Sequence, residues 1–484
     1  MTKKHPKSKS KTIIALILFL VVVLRLPSLF EPNCYADEDI YLTLGQGLRK
    51  GLVFYRDIHD NKPPLLYIFA AIAGNVPIFR LILLFWNLIN VYLIWLISQK
   101  FFKKSWPGLA STFLFALFSS IPLTEGNMAN GEIFMIMPTT AALLLLLTSS
   151  KFFLTGLFFS LAFLFKVPVI FEFFVIVFWL AFYQQKTLLG GIKKIFSAPV
   201  LLLTAGFSLP IVATIAGYYS VGAGPSYVKA ALLQNVGYLS SWEGSTRPIY
   251  QSQFFIRTII LVVLVLSFYL LRHRLGKKFG LIALWFSAAL FGALLSGRPY
   301  PHYLIQILPP AVFLLVWPFT QKAKKPYFFS SAILIILTTF SLYYYKFWHY
   351  PTISYYQNFI QYQLGKIDKE TYYRFWGETT VTNHQIANYI KDNTRPDQKI
   401  FVWGTQPAIY AISDRLPVGK YTVAYHVVDF RAHHQTMDSL ISQPPPFIIY
   451  FPQAPSFPRL DQFINLNYSV DRLFSSAIIF RLNQ

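Results

Sequence analysis

The chain has 484 residues, of which 55% are hydrophobic, 18% are aromatic and only 13% are charged. A soluble domain has about a quarter of its residues charged, so this composition excludes an ordinary soluble protein. The net charge of +23 comes from Lys and Arg in short clusters between apolar runs, a pattern typical of membrane topology. We therefore expect no nucleic acid partner. The single cysteine, Cys34, excludes an intrachain disulfide and a cysteine-based metal site.

Apolar runs long enough to cross a membrane follow one another as far as residue 345. A helix needs about 20 residues to cross a hydrocarbon core of about 30 Å. The first run follows a basic segment and lacks a small-residue cleavage site, so we predict a retained span. The stretch Leu65–Ala73 is too short to span and is predicted to lie in the interface or to re-enter. The predicted spans are 12–30, 79–99, 106–123, 132–149, 152–166, 168–183, 197–219, 255–271, 279–296, 303–320 and 327–345.

The turns between these runs alternate in charge, and the positive-inside rule places the basic set in the cytoplasm. About eleven spans then leave the N-terminus cytoplasmic and the C-terminal region extracytoplasmic. The first outer loop covers residues 31–78. The other outer segments are 124–131, the turn at Lys166, 220–254 and 297–302.

From about residue 346 the sequence changes to polar residues, prolines and short apolar runs. A helix is predicted over 382–393, strands over 399–403 and 446–451, a helix end over 438–442, and a closing hairpin from 468–470 and 477–481. The predicted fold is an α-helical polytopic membrane protein, residues 1–345, with a small C-terminal extracytoplasmic α/β domain, residues 346–484.

Three consecutive acids, Asp37, Glu38 and Asp39, begin the first outer loop in a chain that has only 20 Asp and Glu residues. Such a triplet suits a general base, a metal ligand set or the first turn of a helix, because acids are favoured at helix N-termini. A helix cap explains one acid more easily than three, and we favour the catalytic interpretation.

Lys62 precedes two prolines that fix an extended backbone before an apolar helix, which places its ammonium at the headgroup level. It suits either a snorkelling anchor or a contact to a phosphate. The same choice between structure and ligand applies to the polar residues of the other outer segments. Asn127, Asn130 and Glu132 suit sugar hydroxyls, a metal site or a plain turn. Arg298, His302 and Lys166 suit a phosphate, although a lone His is more often structural.

At these residues the sequence resembles the GT-C-type membrane glycosyltransferases, the group with protein O-mannosyltransferases, aminoarabinose lipid A transferases and the bacterial Rgt-like enzymes. Family members have an Asp-Glu pair after the first span, matching Asp37-Glu38, and then Lys-Pro-Pro-Leu, matching 62–65. The Asn-x-x-Asn-x-Glu pattern at 127–132 and His302-Tyr303 followed by Pro309 are similar to the Rgt-like group. The chain lacks the Arg that precedes the Asp-Glu pair in protein mannosyltransferases, where Ala36 stands.

The resemblance implies transfer of a sugar, with inversion, from a polyprenyl phosphate to a lipid, glycan or protein acceptor outside the cytoplasm. It makes Asp37 the base and Glu38 an assistant or metal ligand, with Glu132 as a second candidate ligand for a divalent ion. Lys62, with Lys166, Arg298 or His302, holds the donor phosphate. The expected sugar or acceptor contacts are Asp39, His59, Asp60, Asn127, Asn130, Glu132 and Tyr303.

A transporter or flippase of lipid-linked saccharides is the alternative. It predicts ionisable residues at mid-span and two related halves with broken helices. In this chain most charges lie at the ends of the predicted spans, with Arg25 and Glu172 as the main candidates within them, and the two halves are not evident.

Overall fold

The protein is described by a computed structural model that covers residues 6–183, 185, 187–237, 252–320 and 325–483. The chain forms two compact units, of which the first contains 1–26, 83–215 and 233–352. The second contains 27–82, 216–232 and 353–484. The first outer loop, residues 31–78, therefore belongs to the same unit as the C-terminal segment. The predicted domain division at residue 345 stays a prediction. Which parts lie inside and outside the membrane stays a prediction.

The described residues are mainly helical, and most helices between 224 and 237 and after residue 352 have 12 residues or fewer. In chain order the helices are α1 (Pro6–Arg25), α2 (Ala36–Arg49), α3 (Leu65–Ala73), α4 (Val76–Phe101), α5 (Ser105–Phe118), α6 (Gly131–Thr148), α7 (Phe152–Phe165), α8 (Val169–Phe178), α9 (Leu188–Ile195), α10 (Ala198–Ser220), α11 (Gly224–Tyr227), α12 (Gln234–Gly237), α13 (Gln253–Leu270), α14 (Arg272–Ala293), α15 (Leu308–Val316), α16 (Lys325–Tyr344), α17 (Thr352–Gln363), α18 (Lys369–Arg374), α19 (Glu378–Asn393), α20 (Ala408–Ser413), α21 (Ala424–Asp429), α22 (His433–Ser442) and α23 (Pro458–Asn467).

Every predicted span coincides with an apolar helical segment of the first unit or one that continues into it. Within the described ranges, eight segments are long and apolar enough to cross a membrane. Three shorter apolar helices, at Ser105–Phe118, Phe152–Phe165 and Val169–Tyr183, correspond to the remaining predicted spans. The polytopic helical fold is confirmed, and the number of membrane crossings stays a prediction. The short apolar stretch before α4 forms the separate nine-residue helix α3.

Two helical segments depart from the regular helices that apolarity predicts. α14 is broken at Gly276, whose φ of 69° and ψ of 169° are not helical. The span predicted from residue 303 begins as a 3-10 helix over Pro301–Ile307 and becomes α-helical only at Leu308. Pro309 and Pro310 lie at the start of α15, where the lack of an N–H costs no hydrogen bond.

The two ionisable residues predicted to lie within spans, Arg25 and Glu172, are held by hydrogen bonds inside the first unit. Arg25 donates from Nη2 to the carbonyl oxygens of Ser119, at 2.7 Å, and of Gly126. The Glu172 carboxylate accepts from Trp285 Nε1 at 2.5 Å and from Gln306 Nε2 at 2.7 Å. Both ionisable residues thus join helices or turns of the unit, which is a structural role.

The second unit contains a four-stranded sheet formed by β1 (Phe401–Trp403), β2 (Phe447–Tyr450), β3 (Tyr468–Leu473) and β4 (Ile478–Leu482). The order is β1-β2-β4-β3; β1 pairs with β2 in parallel, and the other two pairs are antiparallel. The predicted strands and closing hairpin are confirmed. Buried residues form one cluster around Trp403 and Leu460 and another around Ile386, Ile390 and Ile449. The helical face predicted for 382–393 therefore packs in the core of this α/β region.

Candidate active site

The first turn of α2 gives each of the three acids a different environment. The preceding residue, Tyr35, is extended and makes no side-chain cap, so Asp37, Glu38 and Asp39 are the polar groups of this helix start. The Asp37 side chain is 28% exposed, whereas Glu38 and Asp39 are 1% and 2% exposed. Of the triplet, Asp37 therefore has the most accessible carboxylate, and the other two are buried.

Asp37 lies beside a cation and a phenol. Tyr41, one helical turn later, donates its hydroxyl to Asp37 Oδ2 at 3.0 Å. Lys62 Nζ lies 3.9 Å from the same oxygen and 5.1 Å from the centre of the Tyr41 ring. The Lys62 side chain is 20% exposed, so its ammonium also remains accessible. The structure thus brings together the predicted base, Asp37, and Lys62, the residue predicted to bind the donor phosphate.

The backbone before Lys62 is held by a residue in an uncommon conformation. Tyr55 has a φ of 70° and donates its hydroxyl to the carbonyl oxygen of Lys62 at 2.7 Å. Pro64 is helical and precedes the first residue of α3, as predicted for prolines at a helix start. The Tyr55 ring packs against Tyr218 and Tyr227, with 5.1 Å between ring centres in each case. The position of Lys62 is therefore fixed by packing.

Asp60 is fully buried and links Lys62 to the C-terminal segment. Its Oδ2 lies 3.7 Å from Lys62 Nζ, and its Oδ1 lies 3.8 Å from His426 Nε2. Burial raises the pKa of Asp60, but Lys62, the nearby His426 and hydrogen bonds to the carboxylate together hold that pKa below its usual value. Burial also lowers the pKa of His426, against the opposing effect of Asp60. Asp60 is thus a buried anion that positions Lys62.

Glu38 forms a buried ion pair with Arg80 of α4. Arg80 Nε lies 3.0 and 3.1 Å from the two carboxylate oxygens, and Nη2 lies 2.5 Å from Oε2. Arg80 Nη1 donates to Glu31 and, at 3.1 Å, to the Ser28 carbonyl oxygen. Tyr355 donates its hydroxyl to Glu31, and burial raises the pKa of Glu31 despite the nearby Arg80. Glu38 therefore anchors α2 through this ion pair, and its predicted role in catalysis or metal binding stays a prediction.

Asp39 and His59 occupy separate positions within the second unit. Asp39 Oδ1 accepts from Asn33 Nδ2 at 2.5 Å, and burial raises the Asp39 pKa to about 8 although this hydrogen bond lowers it. His59 donates its backbone N–H to the Lys420 carbonyl oxygen at 3.0 Å. Its ring packs edge-on against Phe430, with 4.9 Å between the ring centres. His59 thus has a structural environment, and its predicted sugar contact remains a prediction.

The first unit contains a second cluster of predicted site residues around Glu132, at the start of α6. Lys166 Nζ forms an ion pair with Glu132 and lies 4.7 Å from the centre of the Tyr303 ring. His302 Nδ1 is bound to Glu125, and His302 Nε2 lies 3.9 Å from Glu132 Oε1. The imidazole therefore lies between two carboxylates. The structure brings together Lys166, His302, Glu132 and Tyr303, which are far apart in sequence.

The remaining predicted site residues of this unit, Asn127, Asn130 and Arg298, lie in the turns that precede α6 and the 3-10 helix Pro301–Ile307. Asn130 caps α6, since its Oδ1 accepts from the Ile133 N–H at 3.2 Å. Asn127 is buried in the same turn, where Glu125 has a φ of 55°. Arg298 is half-buried and donates its backbone N–H to Ser296 Oγ at 3.3 Å. Asn130 thus has the turn-forming role that was the alternative to a sugar contact.

Each of the two candidate metal ligands is in an ion pair with a basic side chain. Glu38 is engaged by Arg80, and Glu132 is engaged by Lys166, so each carboxylate already has a cation at its oxygens. Among the described residues, no group of three His, Cys, Asp or Glu side chains is arranged to hold a metal. A divalent ion at these residues stays a prediction.

Sequence reasoning missed Arg80 and His426 and left Glu125 without a role. Arg80 had a signal, because a single cation within an apolar helix needs a partner. His426 had none, since it follows Asp60 by 366 residues and lies in an ordinary short helix. Glu125 and His302 are 177 residues apart, and only the fold shows that they are paired.

The apolar helices and the small mixed sheet together form a fold that is found in a solved membrane-protein structure. The chain is similar in structure to ArnT from Cupriavidus metallidurans bound to undecaprenyl phosphate, with a TM-score of 0.59, 11% identity, and coverage of 96% of this chain and 97% of that one. For ArnT in the apo state the TM-score is 0.57, the identity 11% and the coverage 98% of each chain. The predicted resemblance is thus confirmed for the fold. No family model and no curated protein matches the sequence.

Proposed function

We propose that the chain is a glycosyltransferase that moves a sugar from a polyprenyl phosphate to a hydroxyl acceptor outside the cytoplasm, with inversion. The observation that supports it best is the accessible Asp37 carboxylate with Lys62 Nζ at 3.9 Å. A base and a phosphate-binding cation side by side are the two groups that such a transfer needs. The similarity in fold to a structure that contains undecaprenyl phosphate agrees with a lipid phosphate as the donor.

In the proposed reaction the acceptor oxygen attacks the anomeric carbon as the bond to the phosphate oxygen breaks. Asp37 takes the proton of the acceptor hydroxyl, and the polyprenyl phosphate leaves with the bonding electron pair. One displacement inverts the anomeric centre. Tyr41 stabilises the Asp37 carboxylate by its hydrogen bond and fixes its orientation toward the acceptor. A positioned base of this kind contributes about 10²–10⁴-fold to the rate.

Lys62 couples donor binding to the availability of the base. Without the donor, its ammonium is shared between Asp37 and Asp60. A donor phosphate brings additional negative charge and draws the ammonium toward itself, which frees the Asp37 carboxylate to accept a proton. Asp60 is buried, with His426 at 3.8 Å, and its carboxylate stays next to Lys62. This contact keeps the lysine at the site with and without the donor.

The cluster in the first unit suits a second anionic contact. Lys166 and His302 are cations or hydrogen-bond donors held by Glu132 and Glu125. We assign Lys166 and His302, with Arg298, to polar groups of the lipid donor. Tyr303 supplies an aromatic face beside Lys166. Removal of Lys166 should therefore weaken donor binding more than it lowers the turnover number.

The test is a transfer assay with the purified full chain in membranes. The donors are radiolabelled polyprenyl-phosphate sugars, given as a panel of hexoses and pentoses. Asp37→Asn should lower the release of polyprenyl phosphate by at least about 100-fold, because the amide keeps the shape but is not a base. The matched control is Asp57→Asn. Asp57 lies in the same loop, and its side chain is 29% exposed against 28% for Asp37.

Full activity in Asp37→Asn removes Asp37 as the base. No turnover of any donor by the wild-type chain contradicts the proposed reaction. If labelled donor instead crosses the bilayer of sealed liposomes without covalent transfer, the protein is a transporter of lipid-linked saccharides.

A further inference from the structure

A small polar cavity lies in the second unit, beside the first turn of α2. It is lined by residues of three segments: the turn before and at the start of α2, helix α19 with the residues before it, and the loop that follows β1. Its volume is about 140 Å³. One water needs about 10–15 Å³ by the same measure, so the cavity has room for a larger polar group.

Hydrogen-bonding groups without protein partners point into this cavity. Asn383 is 7% exposed, and its Oδ1 has no hydrogen-bond partner among the described residues. The same holds for Gln406 Oε1. Asn383 lies one turn before Ile386, on the side of α19 that packs on the sheet. Buried polar atoms without partners are costly and uncommon in native proteins, so a molecule that donates hydrogen bonds should complete them.

The residues that line the cavity indicate what kind of molecule it can bind. Among the described residues that line the cavity there is no Lys, Arg or His, which disfavours a phosphate. Asp39 is its single acidic group, and burial raises the Asp39 pKa to about 8, so the carboxyl both donates and accepts at neutral pH. Trp376 adds an apolar aromatic surface, and Thr380 a hydroxyl. Amides, hydroxyls and one aromatic ring suit an uncharged molecule with many hydroxyl groups.

We propose that this cavity binds a neutral saccharide ring of the acceptor, at a distance from the hydroxyl that reacts. This inference rests on the proposed glycosyl transfer for the source of the saccharide. Asp37 and Asp39 are two residues apart on a helix, so their side chains leave it about 200° apart around the axis. Lys62, the donor-phosphate ligand, lies on the Asp37 side. The Asp39 side is therefore free for a more distant part of the acceptor.

The experiment measures binding of methyl glycosides of neutral hexoses and pentoses to the full chain by saturation-transfer NMR. At least one glycoside should bind in the millimolar range. Asn383→Leu and the near-isosteric Gln406→Met should each weaken it at least about fivefold, because each removes one hydrogen-bond acceptor. Asn388→Leu is the matched control, since it makes the same change at an exposed position of α19 and should leave binding unchanged.

Melting temperatures show that each variant is folded, and Gln406→Met, at a half-buried position, keeps the test valid if Asn383→Leu does not fold. Failure of every glycoside to bind, or binding that survives in both variants, overturns the inference. Tighter binding of glucose 1-phosphate, or displacement of the glycoside by CaCl₂, also overturns it, because the cavity then takes an ion.

Separate measurements distinguish this site from the donor site and from the proposed reaction. Asn383→Leu should leave the KM for the polyprenyl-phosphate sugar unchanged. An increase of this KM by tenfold or more assigns the cavity to the donor sugar and overturns the acceptor assignment. Asp37→Asn should abolish turnover and leave glycoside binding intact. If the wild-type chain turns over no donor while glycosides bind at Asn383, the proposed reaction fails and the saccharide site stands.

Discussion

Replacing Arg80 with Met removes the cation that two buried carboxylates share and nearly preserves the side-chain length. Arg80 is 0% exposed, Glu38 1% and Glu31 4%, so neither carboxylate gains full access to water when the guanidinium is lost. Removing one partner of a buried ion pair costs about 3–5 kcal/mol. Burial raises the pKa of Glu31, and loss of the Arg80 charge removes the main effect that opposes this rise.

We therefore expect Arg80→Met to lower the free energy of unfolding by about 3–5 kcal/mol, which reduces the folded-to-unfolded ratio by roughly 10²–10³·⁵. Arg49→Met is the control, because Arg49 is exposed and donates to one carbonyl oxygen, that of Ala71. Its cost should stay near 1 kcal/mol. Both values are measured by reversible unfolding of the purified chain in mixed micelles of increasing SDS content.

The double variant Arg80→Met with Glu38→Gln tests the reason for the loss. The amide removes the uncompensated charge at Glu38, so it should restore at least half of the lost stability. A double-mutant cycle then gives a coupling of at least about 2 kcal/mol between the two positions. Equal losses for Arg80→Met and Arg49→Met, or no recovery in the double variant, would refute the assignment of Glu38 to a structural ion pair.

Three further predictions concern the second unit. Asp39 keeps its proton up to a pKa of about 8 in the folded state, whereas the unfolded chain loses it above about pH 4, so the free energy of unfolding falls as pH rises across this window. Asp39→Asn should flatten the pH dependence of the melting temperature between pH 5 and 8, and an unchanged slope contradicts the raised pKa. Lys62→Met should raise the KM for the donor about tenfold or more, measured in the transfer assay, and an unchanged KM removes Lys62 from donor binding. Tyr355→Phe removes a hydroxyl that donates to Glu31 and should lower the free energy of unfolding by about 1–3 kcal/mol in the same SDS titration. Tyr343→Phe, at an exposed position, is the control, and an equal loss of stability in the two variants contradicts the prediction.

The parts of the fold that depend on local apolarity were predictable from the sequence. Continuous apolar runs identified the helices of the first unit, and the runs 399–403 and 446–451 identified β1 and β2. The short helices α17, α18 and α21 were not predicted, because none of them contains a long continuous apolar run and tertiary contacts decide their conformation. The 3-10 start before α15 depends on two prolines that the apolarity of the span conceals.

The acidic triplet shows where residue type stops being informative about a site. The sequence indicated that 37–39 is special, but three adjacent acids look equivalent until their surroundings are known. Arg80 engages Glu38, Asn33 engages Asp39, and Asp37 remains accessible. These differences come from contacts such as Glu38–Arg80, which join residues 42 positions apart. Hydropathy and residue spacing do not predict such contacts. Both interpretations of the triplet apply: it is the first turn of a helix, and Asp37 is the proposed base.

The contacts between α2, the first outer loop and the C-terminal segment have a consequence for synthesis of the chain. Thr43 Oγ1 lies 3.5 Å from the Pro407 carbonyl oxygen, and Lys50 lies 2.9 Å from that of Asp414, each across 364 residues of sequence. At about 5–20 residues per second, the early segment waits roughly 20–70 s for these partners to be translated. During that interval Asp60 lacks His426. A ribosome that stalls before residue 407 therefore leaves a nascent chain without these contacts, so the proposed site should be complete only after His426 has been translated.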